Sequence, residues 1–161
     1  MAKKEEKTNV MRILDGKRIN YQKYTYENGE TMTGLDIATL LNQDPNQVFK
    51  TLVTFGSKTK SYYVFVIPVN GELDLKAAAK AVGEKSIEMI KQKDLLPLTG
   101  YVHGGCSPIG MKKFFVTTIH ESAKNFDTII FSAGKIGYQV EVAPADLEKV
   151  IRVSYAPIIE G

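Results

Sequence analysis

A glycine-rich stretch is the part of this sequence best suited to hold a ligand. Residues 100–110 contain four glycines and one proline, and no apolar run in them is long enough for a strand or a helix. Glycine allows positive φ and a close approach of the backbone to a ligand, whereas proline fixes φ and removes a donor. Such a loop presents backbone N–H groups, and Lys112 and Lys113 follow it directly. This pattern suits an anionic ligand that carries a polar reacting group.

The same loop raises the alternative of a cysteine nucleophile, because Cys106 follows His103 by three residues. No third orienting group is evident, and proximity in sequence does not establish hydrogen-bond geometry. We therefore interpret His103 and His120 as surface or supporting residues rather than as bases. A phosphate-binding P-loop is excluded here, because the stretch lacks the sequence Gly-Lys-Ser/Thr.

Length and composition favour one domain with an ordinary hydrophobic core. The chain has 161 residues, of which 43% are hydrophobic and 24% charged, with a net charge of +3. That charge excludes a strongly basic nucleic-acid-binding surface, and we expect no DNA partner. One cysteine and two histidines argue against a disulfide framework and against a zinc site. We expect neither a metal nor a cofactor.

The hydropathy of the chain predicts neither a membrane span nor an export signal. No apolar run approaches about 18 residues, so we expect no membrane span. Residues 1–7 are a charged run with no apolar segment behind it, which indicates a solvated tail rather than a signal peptide. The prediction is therefore a cytoplasmic protein with a charged tail over 1–7 and a domain over 8–161.

Several helices are predicted from their caps. Thr8 precedes a helix that ends at Gly16, and Thr33 with Asp36 opens a second helix. Asp74 caps an alanine-rich helix over 75–82 that Gly83 terminates. Shorter helical segments are predicted after Asp44, around Asp94, and over 120–126 and 146–150.

Strands are predicted between these helices. The run 62–69 is apolar on both faces and predicts a central strand, and 128–132 with 138–142 predicts a hairpin with a Gly-Lys tip. The other predicted strands are 19–26, 48–55, 86–89, 114–119 and an extended segment around Tyr155. About six or seven strands with short helices predict a single α+β domain built on a curled, mixed β-sheet.

Five segments in order resemble the YbaK/EbsC family over about residues 10–150. They are 25–27 (TYE), 46–52 (NQVFKTL), 71–76 (GELDLK), 104–113 (GGCSPIGMKK) and 132–137 (SAGKIG). Members are free-standing aminoacyl-tRNA deacylases related to the editing domain of bacterial prolyl-tRNA synthetases. The resemblance implies the fold of that editing domain and removal of cysteine from Cys-tRNA(Pro), with Cys-tRNA(Cys) as a further substrate. Prolyl-tRNA synthetase mischarges cysteine because an apolar pocket separates near-isosteres poorly.

The resemblance also implies the site residues. Lys50 matches the functional lysine, whose cation would hold the phosphates of the tRNA 3′ end, and Gly104 matches a pocket glycine that can donate to a developing oxyanion. Residues expected to bind the substrate are Tyr26, Thr33, Gly105, Ser132 and Gln139. The thiol of the bound cysteine would attack its own ester, so that no protein nucleophile is needed.

Three departures from the family pattern concern the pocket. Gln139 stands where relatives often carry aspartate, and Ala133 stands where they carry glycine. Thr33 occupies a position where some relatives carry an aromatic residue, which could widen the pocket or alter its selectivity.

Two other functions remain open. One is hydrolysis of Ala-tRNA(Pro) by a bound water, and the other is a non-catalytic module that binds tRNA or a nucleotide and docks on a synthetase. The implied partners are the aminoacyl-tRNA 3′ end, prolyl-tRNA synthetase and tRNA(Pro). A cluster of Lys112, Lys113 and Lys135 could contact tRNA phosphates.

Overall fold

The structure, a computed structural model, describes residues 6–161 of the chain. Its helices follow the predicted caps closely. They are α1 (Asn9–Gly16), α2 (Gly34–Leu40), α3 (Leu75–Val82), α4 (Gln92–Thr99) and α5 (Pro144–Leu147), with short 3₁₀ helices at Gly29–Thr31 and Glu121–Asn125.

Three of these helices begin as the sequence predicts. The Thr8 hydroxyl accepts the Met11 N–H, and Thr33 and Asp36 form a complete capping box at the start of α2. Asp74 accepts two backbone N–H groups at the start of α3, and Gly83 ends that helix at φ 74°. The three side-chain caps satisfy backbone N–H groups that have no partner within the helix, and the glycine turns the chain at the end of α3.

The strands form two sheets within residues 6–161. They are β1 (Gln22–Thr25), β2 (Phe49–Gly56), β3 (Ser61–Pro68), β4 (Ile87–Met89), β5 (Val116–His120), β6 (Ile129–Ser132), β7 (Tyr138–Val142) and β8 (Val153–Ala156). The larger sheet has the order β4-β2-β3-β5-β8, and the smaller one has the order β1-β7-β6.

The larger sheet is mixed. Its β2 pairs antiparallel with β3 and, over 54–56 only, with β4, whereas β3–β5 and β5–β8 are parallel. Strand β3 lies in the middle and is buried from Tyr63 to Pro68, as its apolar sequence predicts. Pro68, which has no N–H, stands at the end of the strand opposite Phe49.

One parallel bridge joins the two sheets. Val48 pairs with Ile130, and the Ile130 N–H donates to the Gln47 carbonyl at 3.0 Å. The Gln47 amide also donates to the carbonyl and hydroxyl of Thr128, at 2.9 and 3.1 Å. The smaller sheet is thereby attached beside the first half of β2, at the edge that β4 leaves uncovered.

The core has two layers on opposite faces of β3. Val64 and Val66 pack toward α1, β6 and β7, and Phe65 and Ile67 pack toward α3. Alternate residues of a strand point to opposite faces, so an apolar run without alternation fits a strand that is covered on both sides. Complete burial of a side chain such as Phe65 contributes about 1.5–3 kcal/mol.

The predicted α+β class is confirmed, with two differences in detail. The described residues form eight strands rather than six or seven, and these make two joined sheets rather than one curled sheet. The predicted strand 19–26 is shortened to β1, and the predicted strand 114–119 begins only at Val116, as β5. The prediction missed the second sheet because pairing between distant strands leaves no local sequence signal.

Local boundaries differ at other points. The segment after Asp44 makes hydrogen-bonded turns instead of a helix, and the helix around Asp94 is longer than predicted and contains Pro97. The segment after His120 is a 3₁₀ helix. The last helix begins at Pro144, where proline suits the first turn, rather than at residue 146.

The structure describes only the last two residues of the predicted tail, Glu6 and Lys7. Residues 1–5 of that tail lie outside the described residues; Glu6 forms an ion pair with Lys135, and Lys7 forms one with Asp15. No helix within residues 6–161 has the length and apolar character needed to cross a membrane.

Candidate active site

The main cavity lies along the uncovered edge of β2, next to the junction of the two sheets, and its volume is about 360 Å³. Its walls come from β2, from the segment around the start of α2, from the glycine-rich loop and from the smaller sheet. Six of the seven predicted site residues line it: Tyr26, Thr33, Lys50, Gly104, Ser132 and Gln139. The topology thus brings residues from six separate segments together around one space.

The charge of this cavity is unbalanced. Lys50 is the only lysine or arginine among the described residues that line it, and no aspartate or glutamate lines it. Lys50 is the second residue of β2, lies opposite Ile67 and is half-buried, without an ion-pair partner in the range 6–161. A partly buried ammonium group without a carboxylate partner favours an anionic ligand.

The glycine-rich loop forms the wall opposite the strands. Gly104 has φ 86°, a conformation that glycine adopts without strain, and it is exposed at the cavity together with His103. Gly105 is buried and does not line the cavity; a Cβ atom there would lie 3.1 Å from the backbone nitrogen of Ile136. Gly105 therefore lets the loop approach the tip of the β6–β7 hairpin.

Cys106 also lines the cavity, and its environment keeps the thiol protonated. It is buried, and burial raises the pKa of the thiol from 9.0 to about 12, although a hydrogen bond with Thr99 acts in the opposite direction. The thiolate is the nucleophilic form of cysteine. The site thus disfavours Cys106 as an attacking group.

The smaller sheet contributes polar groups. Ser132 and Gln139 are paired across β6 and β7. The Ser132 hydroxyl accepts the Gly134 N–H at 3.1 Å, so this residue both supports the hairpin turn and lines the cavity. The Gln139 side-chain oxygen accepts from Gln43 at 2.9 Å, and the residue is 5% exposed. At this position the chain therefore offers a neutral amide that is already hydrogen-bonded.

Tyr26 and Thr33 close the remaining side. Tyr26 is buried, which raises the pKa of its phenol, and its ring lies against Gly29, where a Cβ atom would come within 2.5 Å of a ring carbon. The Thr33 hydroxyl accepts the Asp36 N–H at 3.1 Å as the helix cap. Thr33 therefore contributes to the wall with its hydroxyl already engaged. Apolar side chains complete the lining, namely Met32, Ile37, Val69, Leu95 and Phe131.

Thr51 is a candidate that the sequence analysis missed. It follows Lys50 on β2 and lines the cavity, and its hydroxyl oxygen is buried without a hydrogen-bond partner among residues 6–161. A buried hydroxyl without a partner is unfavourable unless a ligand or water satisfies it. No sequence signal could identify it, because threonine is an ordinary strand residue.

Two further predictions concerned His120 and a metal site. His120 lies on β5 and does not line the cavity; its Nδ1 accepts the Ile158 N–H at 3.1 Å, which is a structural role. In the described part of the chain, no group of three or more histidine, cysteine, aspartate or glutamate side chains is arranged to hold a metal ion.

Comparisons with known proteins agree on one family. The model of the family described as "Aminoacyl-tRNA editing domain" matches residues 28–150. A protein of Enterococcus faecalis named "Putative Cys-tRNA(Pro)/Cys-tRNA(Cys) deacylase EbsC" is 45% identical over 161 residues, which cover 98% of each chain.

Solved structures share the fold at low identity. One, described as "a putative trans-editing enzyme for prolyl tRNA synthetase", has a TM-score of 0.79 at 20% identity and covers 97% of this chain and 100% of its own. Another, described as "hypothetical protein APE2540", has a TM-score of 0.83 at 18% identity and covers 94% of this chain and 99% of its own. At these identities the likeness extends to the fold.

Proposed function

The chain belongs to the aminoacyl-tRNA editing domain family, and from this premise we propose that it removes cysteine from Cys-tRNA(Pro) and Cys-tRNA(Cys). The resemblance to the YbaK/EbsC family is confirmed by the identity with EbsC over nearly the whole chain. The protein is an aminoacyl-tRNA deacylase. We propose that it acts in the cytoplasm, on the proposed tRNA substrates.

The observation that carries this proposal is the single lysine, without a carboxylate beside it, among the described residues that line a cavity of apolar and uncharged polar groups. An aminoacyl-tRNA 3′ end brings a phosphate, an ester and a small side chain. Among residues 6–161, Lys50 is the one lysine or arginine in the lining that can pair with the phosphate. A cavity of about 360 Å³ has the size of a typical small-ligand site. Its apolar wall suits the methylene and thiol of cysteine.

The chemistry requires no attacking group from the protein. The sulfur of the bound cysteine forms a bond to its own carbonyl carbon, and the bond from that carbon to the ribose oxygen breaks. The thiol proton is transferred to the ribose oxygen, so that the products are deacylated tRNA and a cyclic thioester. Because the thiol and the ester belong to one molecule, their effective concentration depends on how the pocket orients them.

The protein residues bind and orient in this scheme. Lys50 holds the phosphate beside the ester, and the backbone N–H at Gly104 donates to the carbonyl oxygen as negative charge develops there. Ser132, Gln139 and Tyr26 define the polar rim around the amino group and ribose.

The partners follow from the same proposal. The net charge of +3 is small, so electrostatic attraction to free tRNA is weak. We propose that prolyl-tRNA synthetase supplies selectivity for tRNA(Pro), by holding the mischarged product near this protein.

The experiment that tests the function is a deacylation assay with a panel of misacylated tRNAs and identification of the released product. We expect loss of cysteine from Cys-tRNA(Pro) as a cyclic thioester, with Ala-tRNA(Pro) left intact because alanine has no thiol. Release of alanine instead would establish the water-dependent hydrolase. Unchanged substrates at ample protein concentration would favour a non-catalytic binding module.

Lys50→Ala tests the central residue in the same assay. We expect a loss of about 10²-fold or more, the size typical for removal of one electrostatic group that stabilises a transition state. Lys85→Ala, at an exposed lysine outside the cavity, is the matched control, and thermal unfolding checks that both variants fold. Turnover like wild type in Lys50→Ala would refute the assignment.

A further inference from the structure

A second cavity of about 270 Å³ lies where the glycine-rich loop returns to the larger sheet. Lys112, Lys113, Phe114 and Phe115 line it and are here termed the Phe114 platform. The main-cavity residues His103, Gly104 and Cys106 belong to the same loop as this platform, so the two sites are connected by fewer than ten residues of chain.

The aromatic part of this platform is open to solvent. Phe114 is 70% exposed, more than any other large hydrophobic residue within residues 6–161. Phe115 contacts Tyr62 edge to face, with ring centroids 6.4 Å apart, and Tyr62 contacts Phe55 at 5.1 Å. An exposed phenylalanine beside a row of packed rings leaves one aromatic face available for stacking.

The charge of the platform is positive. Lys112 and Lys113 are exposed and form no ion pair within residues 6–161, and no aspartate or glutamate lines this cavity. The stem of Lys112 lies over Gly100, where a Cβ atom would be 3.3 Å from it, and its ammonium lies 3.5 Å from the Pro97 carbonyl. Two cations beside one exposed ring are the elements that recognise single-stranded nucleic acid.

The spacing of the two sites also fits a nucleic-acid strand. Lys50 lies opposite Ile67 at one end of β3, and Val116, two residues after Phe114, lies opposite Tyr63 near the other end. Four residues along the strand span about 13 Å, and the two strand-to-strand steps from β2 across β3 to β5 add about 10 Å at right angles, so Lys50 and Val116 are separated by about 16 Å. About five stacked nucleotides cover that distance, at about 3.4 Å each.

We propose that the Phe114 platform binds the unpaired 3′ strand of the tRNA upstream of the terminal nucleotide. One base stacks on Phe114, and Lys112 and Lys113 pair with the neighbouring phosphates. This inference rests on the proposed function, because it takes the terminal aminoacyl nucleotide to occupy the main cavity.

The test compares a long and a short substrate. The long one is a cysteinyl minihelix with a single-stranded 3′ end, and the short one is cysteinyl-adenosine. Phe114→Ala should raise KM for the minihelix about tenfold, within the range for loss of one base–aromatic stack, and leave cysteinyl-adenosine unaffected. Phe114→Trp should restore the minihelix KM, because tryptophan also offers a stacking face.

The lysines have their own readout. For a single strand, each phosphate contact contributes about 0.7 to the slope of log affinity against log salt concentration. Lys112→Ala/Lys113→Ala should therefore reduce that slope by about 1.4 for the minihelix. Lys93→Ala, at an exposed lysine on α4 that lines neither cavity, should leave the slope unchanged.

Direct binding separates failure of this inference from failure of the proposed function. Fluorescence anisotropy of a labelled minihelix without an attached amino acid measures binding at the platform even if no substrate is deacylated. Weaker binding by Phe114→Ala supports the inference in that case too. Wild-type affinity in Phe114→Ala and in the lysine variant overturns it. Equal losses on long and short substrates also overturn it, as does lost synthetase binding with unchanged minihelix affinity, which would identify a protein-docking surface.

Discussion

Cys106 presents the sharpest contrast between residue type and environment. It is the single cysteine of the chain and lines the proposed substrate cavity. Burial nevertheless raises the pKa of its thiol to about 12, which leaves almost no thiolate at neutral pH. A catalytic cysteine requires the opposite shift, so the structure assigns its thiol to the wall of the cavity.

Cys106→Ala should therefore keep deacylation within about threefold of wild type, because the change removes one sulfur atom from the wall and no reacting group. In agreement, iodoacetamide should modify native wild-type protein slowly at pH 8. The measurements are single-turnover deacylation of Cys-tRNA(Pro) and the rate of alkylation by mass spectrometry. A folded but inactive Cys106→Ala would restore the Cys–His interpretation.

At this scale the sequence predicts residues through motifs and misses those defined by contacts. Lys50 and Gly104 were found because they lie in segments that resemble a family, and the structure places both at one cavity. Thr51 was missed because its significance lies in a buried oxygen without a partner, which depends on packing alone. Gly105 was expected at the substrate and instead lies against the hairpin tip, an approach that only the assembled fold defines.

Glu84 organises the connection between β2 and β3. Its carboxylate is buried and accepts from the Thr59 hydroxyl, the Tyr63 hydroxyl at 2.6 Å and the backbone N–H groups of Lys58 and Thr59. These hydrogen bonds, from Thr59 first, lower the pKa of Glu84 below 4.5. A Cβ atom at Gly56 would lie 2.3 Å from this carboxylate, so glycine is required there.

Glu84→Gln should lower the urea midpoint at pH 7, because an amide accepts fewer of these hydrogen bonds and brings unmatched donors. A lowered pKa in the folded state stabilises the protein above pH 4.5, and this stability is lost as pH falls through the folded pKa. The midpoint difference from wild type should therefore shrink between pH 5 and pH 3, as measured by circular dichroism. Glu88→Gln, at an exposed position on β4, is the control; an equal effect there would contradict the role of Glu84.

Elements are predicted best where a local side-chain signal defines their ends. The caps at Thr8, Thr33 and Asp74 were predicted and are present with their hydrogen bonds. The helix expected after Asp44 is only a turn, because the chain must enter the bridge at Val48 within a few residues. Long-range pairing thus decided the boundaries that local patterns left undefined.

His120 connects distant parts of the whole molecule. It ends β5, and its Nδ1 accepts the N–H of Ile158 in the C-terminal segment, whose Ile159 in turn forms a bridge with Leu73. Desolvation lowers the pKa of His120 below 6.5, although Glu121 acts in the opposite direction. The folded protein therefore favours the neutral imidazole, which is the form that can accept this hydrogen bond.

Global stability should consequently fall on acidification. A histidine with a lowered folded pKa gives its full contribution above pH 6.5, and the contribution decreases as pH falls from 6.5 toward the folded pKa. His120→Gln should flatten the dependence of the thermal midpoint between pH 7.5 and 5.5, since glutamine can accept the same N–H without titrating. His103→Gln, at the exposed histidine, should retain the wild-type dependence. An unchanged slope in His120→Gln would contradict this account.

The overall class was predictable because strand and helix segments alternate along the chain with clear composition. The division into two sheets was not, since pairing between distant strands leaves no local signal; among the described residues, one bridge, between Val48 and Ile130, joins the sheets. Gln47 lies beside that bridge and does not line the main cavity, yet its carbonyl and its side-chain amide both hold the smaller sheet. Because Ser132 and Gln139 of that sheet belong to the cavity wall, exchange of Gln47 would shift the wall while every lining residue stays the same.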